Sequence, residues 1–183
     1  DQSIWESRPF QFDTLPSDGL QIITEYNRTI SSQPYADAIT AYDFFPVYVV
    51  NETKSPKVFI AKDSYVFAIQ EAIDTSDFNN WYAIETKGFD FCGNGYFRRK
   101  LMPREFIMFL MPKYSGKDTT FLRTRIKIGE TILLSKPYTG TINKHQFNAS
   151  EKSWYADKFL KSDYETIYFQ FYGANVKDRL LSQ

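Results

Sequence analysis

Cysteine and histidine are almost missing from this 183-residue chain, which carries one of each, Cys92 and His145. A single cysteine excludes an internal disulfide framework, so the core must hold the fold and the redox compartment stays open. One thiol and one imidazole cannot furnish the nitrogen and sulfur ligands of zinc or copper, and no metal or other cofactor is expected. Asp74, Ser76 and Asp77 offer oxygens to calcium, but without a glycine-containing acidic loop they read as a solvated turn. Net charge is also lacking. Lys+Arg and Asp+Glu number 22 each, leaving no field of one sign to attract nucleic acid or an anionic membrane. Long apolar runs are absent as well: FIMFLM, at 106–111, falls far short of the ~20 residues that span a bilayer.

Aromatic residues are plentiful. Phe, Tyr and Trp make up 18% of the chain, a composition that suits strands better than helices. From residue 42 onward, short apolar runs alternate with turn residues, the spacing of an all-β sandwich. Strands are expected over 42–51, 57–62, 64–72, 81–87, 105–112, 119–129 and within 130–142, with a turn at Gly140. Pro46 places the first at an edge or bulge, because proline cannot donate to a ladder. EFIMFLMP (105–112) is apolar on both faces, as a central strand would be. In TTFLRTRIKIG (119–129), Leu122, Thr124, Ile126 and Ile128 face inward, and Phe121, Arg123, Arg125 and Lys127 outward. Placing Ala72 opposite Trp81 sets Ile69 against Ile84 and sends Glu71 and Glu85 to opposite faces.

One domain is expected, in three parts. Residues 1–41 form an N-terminal arm in which LQIITEYNRTI is either a strand or a helix, 42–147 the sandwich core, and 148–183 a C-terminal extension packed on it. The extension carries a helix over 150–161, capped by Ser150, and a strand over 164–173. The chain starts DQSIWESRPF without an initiating Met, which fits a mature exported chain whose leader, with or without a lipid anchor, has been removed. Three Asn-x-Ser/Thr sequons at Asn27, Asn51 and Asn148 add weakly to that expectation.

The glycine-rich run FDFCGNGYFRRK (89–100) raises the choice between a phosphate loop and a β-hairpin. Phosphate-binding loops need a following helix whose N-terminal amides face the anion. YFRRKLMP is a poor helix start. A Gly93-Asn94-Gly95 turn instead sets Phe91 against Phe97, Asp90 against Arg98 and Cys92 against Tyr96, which predicts a hairpin.

The fragments VVNET (49–53), IQEA (69–72), WYAIE (81–85), CGNGY (92–96), LMPREF (101–106), PKYSGKDTTFLRTRIKI (112–128) and GTINKHQF (140–147) resemble a group of small, uncharacterised exported bacterial proteins. The resemblance covers about 42–147. It implies an immunoglobulin-like antiparallel β-sandwich located in the periplasm, at the cell surface or outside the cell, and it supplies no catalytic residues.

The leading functional expectation is a non-catalytic binding or adhesion module contacting a protein or a glycan. Trp81, Tyr114 and Tyr138 supply an aromatic surface, with Arg123 and Arg125 as basic partners; a charged, solvated strand face is the plainer reading of the arginines. The rival is a hydrolase using Cys92 as nucleophile and His145 as base, with Asn94 or Asn143 orienting the imidazole. A structural spacer domain is the third reading. Glu71 and Glu85 do not form a glycosidase pair in the register above, and Glu85 is expected to pair with a Lys or Arg of a neighbouring strand.

Overall fold

The computed structural model describes residues 19–32, 42–63, 65–76, 80–86, 95–148 and 171–177. It is an all-β sandwich of antiparallel sheets. The strands are β1 (Leu20–Thr24), β2 (Ile30–Ser32), β3 (Tyr42–Asn51), β4 (Lys57–Lys62), β5 (Ala68–Ile73), β6 (Trp81–Ala83), β7 (Tyr96–Leu101), β8 (Phe106–Pro112), β9 (Asp118–Ile128), β10 (Thr131–Leu134) and β11 (Tyr138–Ile142). A short 3-10 helix at Lys144–Phe147 follows. In the first sheet β3 pairs with β8 on one side and with β1 and β2, end to end, on the other. In the second, β9 pairs with β5 on one side and with β10 and β11 on the other, and β5 also holds β6. β4 and β7 form a separate ribbon.

The expected alternation appears in the core. Phe45, Val47 and Val49 of β3 meet Ile126 and Ile128 of β9, closed by Phe59 and Ala61 of β4 and Leu101 of β7. Such buried side chains each contribute about 1.5–3 kcal/mol. Leu20 of β1 belongs to the same cluster, so the segment LQIITEYNRTI supplies strands to the first sheet.

Several local expectations change, each for a physical reason. Pro46 lies in a central strand, at the point where the neighbour of β3 switches from β1 to β2. Its carbonyl accepts the Glu25 amide (3.1 Å), while the Glu25 carbonyl, lacking a donor from proline, takes the Arg28 amide in a turn (2.9 Å). EFIMFLMP forms β8, which among the described residues pairs with β3 alone, where a central strand was expected. Gly140 lies inside β11 rather than in a turn; a Cβ there would sit 2.4 Å from Leu122 and 2.5 Å from the Tyr26 hydroxyl.

The β5–β6 register is one residue away from the expected one, with Ala72 opposite Tyr82 and Ile73 opposite Trp81. A slip of one exchanges faces. Ile69 is buried, but on the side of the second sheet turned away from the first, beneath Phe171, Tyr172 and Ala174. The C-terminal residues 171–177 thus cover that face. At the described end of the expected 164–173 strand the chain turns, with Tyr172 at φ 51° and the Ala174 amide bonded to the Phe171 carbonyl (2.9 Å).

Cys92, the first limb of its hairpin, Trp5, Trp154, Asp77 and the expected helix at 150–161 lie outside the described residues. The second limb is β7, which pairs with β4, Phe97 opposite Ala61. Gly95 has φ 85°, and a Cβ on it would lie 1.9 Å from an Asp63 carboxylate oxygen, so only glycine fits this turn. The Asn51 sequon is fully buried; its amide donates to the Ser55 and Leu101 carbonyls (2.8 and 2.9 Å), leaving no room for a glycan.

Candidate functional site

The five residues expected at a binding surface fall into two groups on opposite faces of the second sheet. On the outer face the Arg123 guanidinium lies over the Trp81 ring, 4.3 Å from its centroid. Glu71, wholly buried on β5, accepts Arg123 Nε at 2.5 Å and Arg125 Nε at 3.0 Å. Arg125 also donates to the Tyr172 carbonyl (3.3 Å). The β9–β5 register explains the arrangement, since Glu71 sits opposite Arg123 and diagonal to Arg125. The outward basic ladder is thus neutralised by a carboxylate and partly covered by the C-terminal segment. The carboxylate that pairs with arginine is Glu71, not Glu85 as expected.

On the inner side, Tyr114 and Tyr138 are largely buried and belong to a polar network. The Tyr114 hydroxyl donates to Glu85, whose other carboxylate oxygen accepts the Gln70 amide at 2.9 Å. The Tyr138 hydroxyl donates to the Gln70 side-chain oxygen (3.2 Å), and the Gln70 side-chain nitrogen donates to the Pro112 carbonyl (2.8 Å). Burial is the main reason both phenols are held well above their ordinary range, and the Glu85 carboxylate adds to it. Both tyrosines act here as hydrogen-bond donors and remain protonated.

This network backs an open cleft of about 360 Å³ at the end of the sandwich where the two sheets part. Its lining comes from the β1–β2 loop (Tyr26, Thr29), the start of β3 (Asp43), the segment after β8 (Lys113, Tyr114, Ser115), Thr119 of β9 and Thr139–Thr141 of β11. Tyr26 is the inner wall. It stacks on Tyr138 (centroids 4.7 Å apart), its far side faces the Lys113 ammonium at 5.0 Å, and the Thr141 amide donates to its hydroxyl. Lys113 donates to Thr29 Oγ1 (2.7 Å), and the Ser31 hydroxyl to Asp43 (2.6 Å). One ammonium, one carboxylate and a ring of hydroxyls therefore share one opening. Such a surface hydrogen-bonds a polar ligand; no flat aromatic platform faces solvent there, because Tyr26 is covered on both sides.

Of the expected residues only Tyr114 lines this cleft, with Tyr138 directly behind it. Tyr26, Thr29, Asp43 and Lys113 were not singled out from the sequence. Lys113 follows β8 and Asp43 opens β3, seventy residues apart in the chain, and they meet because the Lys113 amide bonds the Asp43 carbonyl (2.8 Å).

The other candidate chemistries find different surroundings. His145 is exposed on the 3-10 helix, and Asn143 is engaged elsewhere, its amide bonded to the Gln146 side chain (2.9 Å) and its side chain to the Ser115 carbonyl (3.4 Å). Asp74, weighed above as a calcium ligand and read as part of a solvated turn, accepts the Lys177 ammonium and both the amide and hydroxyl of Ser76 (2.9 and 2.8 Å). Burial pushes its pKa upward, but the lysine and serine bonds outweigh this and hold it at about 2, below the ordinary 3.8. A depressed carboxylate stabilises the fold above about pH 4, and that contribution fades as the pH falls toward 2. The Lys177 side chain is 40% exposed, so screening reduces the pair to an expected ~1 kcal/mol. Asp74→Asn should lower the urea midpoint at pH 7 and leave it nearly unchanged at pH 2.

No helix among the described residues is long and apolar enough to cross a membrane. Compared with protein-family models, with curated proteins and with solved structures, the chain matches none of them.

Proposed function

We propose that this sandwich is a non-catalytic binding module of an exported protein, immunoglobulin-like in architecture, and that its end cleft engages a hydroxyl-rich ligand, a glycan terminus in the first place. The observation that carries the reading is the convergence of Asp43, Lys113 and the threonine hydroxyls of β9 and β11 on one opening. Sugars present alternating donors and acceptors, and a wall that offers a carboxylate, an ammonium and neutral hydroxyls can meet both. The rigid backing supports it: Tyr26, Tyr138 and Gln70 are held by bonds between the two sheets, so little ordering is needed on binding. The resemblance of segment 42–147 to exported bacterial proteins supports the location.

The test is a glycan array followed by calorimetry on the hits. Asp43→Ala and Lys113→Ala each remove one charged group at the rim without touching the core, and each should weaken binding about tenfold or more, as expected for hydrogen bonds to charged groups. Retention of full affinity in both variants, or no glycan bound at all, would defeat the reading. The rival hydrolase predicts rapid modification of Cys92 in the native protein by a thiol-reactive probe, with protection on loss of His145.

A further inference from the structure

The ladder of β3 and β8 continues past Phe44 and Pro112 for one further pair, where the Lys113 amide bonds the Asp43 carbonyl (2.8 Å). An aspartate and a lysine therefore stand directly opposite each other, the arrangement that ordinarily closes a cross-strand ion pair. Here the pair stays open. Through one oxygen the Asp43 carboxylate takes the hydroxyl of Ser31, its neighbour on the other side in β2 (2.6 Å). The Lys113 ammonium turns instead to Thr29 Oγ1 (2.7 Å) and to the face of the Tyr26 ring (5.0 Å). All of these partners are neutral, and neither charge meets a counter-charge among the described residues. Both line the end cleft, whose other lining residues are uncharged. Two opposite charges are thus held apart in one opening, and each keeps hydrogen-bonding capacity, in the second carboxylate oxygen and the remaining ammonium hydrogens.

We propose that the cleft selects an acidic sugar, a hexuronate with one carboxylate, over its neutral counterpart; the inference rests on the reading of this cleft as a sugar site. The sugar carboxylate supplies Lys113 with the counter-charge that Asp43 does not, and adjacent ring hydroxyls donate to the second Asp43 oxygen. A neutral hexose makes the second contact equally well but offers Lys113 only a hydroxyl. A bond between two charged groups is about twice as strong as a neutral one, and at a partly exposed rim the difference amounts to about tenfold in affinity. Asp43 sets the upper limit on ligand charge. A single carboxylate at Lys113 is held off Asp43 by the width of the sugar ring, whereas a second anionic group on the ligand would be set against Asp43, where like charges repel. The cleft therefore fits a single acid and disfavours a sulfated polyanion. Little ordering is needed on binding, because Thr29 and Tyr26 already position the ammonium and Ser31 the carboxylate.

Titration of the full chain by nuclear magnetic resonance tests this with methyl glucuronide and methyl galacturonide against methyl glucoside and methyl galactoside. At least one uronide should bind about tenfold more tightly than its neutral partner. Its methyl ester, which keeps every ring hydroxyl and loses the charge, should fall back to the neutral value. Lys113→Gln should bring the ratio of the two affinities to about one. Asp43→Asn should do the opposite, since it weakens the hydroxyl contact for both sugars but relieves the repulsion felt by the acid alone, and the ratio widens. Both side chains stand at the rim, so the circular dichroism of either variant should match that of the wild type. Equal binding of uronide and neutral sugar, or a preference that survives Lys113→Gln, overturns the proposal and leaves the cleft a sugar site. Silence of all four probes overturns it too, and together with an empty glycan array removes the sugar reading as well.

Discussion

Replacing Glu71 by alanine is expected to destabilise the protein by about 3 kcal/mol, among the largest effects of any single polar substitution. The loss is not the value of two salt bridges. Glu71 is fully buried against Arg123 and Arg125, and removing it strands two poorly solvated guanidinium groups side by side along β9. Desolvated charge without a partner is what costs. Substituting all three together, Glu71→Met with Arg123→Leu and Arg125→Leu, should therefore recover most of the stability lost by the single change. Urea midpoints of the two proteins decide it: a triple variant no more stable than Glu71→Ala would show that the carboxylate acts through something other than neutralisation. The Trp81 fluorescence should shift in both, since Arg123 lies over its ring.

Phe45→Ala should cost still more, about 3–5 kcal/mol. Phe45 is entirely buried at the centre of β3 and meets Tyr26 and Tyr138 edge-on, with centroids 5.0 and 5.5 Å away. Truncation removes the ring, leaves a cavity and takes away two edge contacts worth roughly 0.5–1.5 kcal/mol each. The effect reaches the cleft, because Tyr26 is its inner wall and Tyr138 the support behind it. Thermal denaturation should give the stability loss, and near-ultraviolet circular dichroism the loosening of the two tyrosines. Phe45→Leu, which keeps most of the volume, should cost about 1.5 kcal/mol or less and preserve that signal.

Much of the architecture follows from period-two patterns along the chain. In β9 each second residue from Thr120 to Ile128 is buried, and Arg123, Arg125 and Lys127 alternate with them, as the apolar spacing predicts. β3, β4 and β8 also begin and end where turn residues, prolines and charges place them. The errors fall where two strands had to be matched. Ala72 can face Trp81 or Tyr82 with little change in local pairing, yet the choice moves Ile69 from one face of the sheet to the other and decides which carboxylate meets the arginines. Pro46 was read as an edge marker because a missing N–H is tolerable only where no acceptor waits; the break between β1 and β2 supplies that condition inside a central strand.

Composition and alternation, being properties of consecutive residues, were enough to specify a mainly β chain without a disulfide framework, and to say which side chains of each strand would seek the core. Burial of apolar surface needs no particular partner, so its pattern is written locally. The cleft is of another kind: Tyr26, Asp43, Lys113 and Thr141 come from four separate stretches, and their meeting depends on which strands pair and in what register. The same holds for the place of β8, which among the described residues pairs with β3 alone: whether a strand is central or an edge follows from the order of strands in a sheet rather than from the residues of the strand.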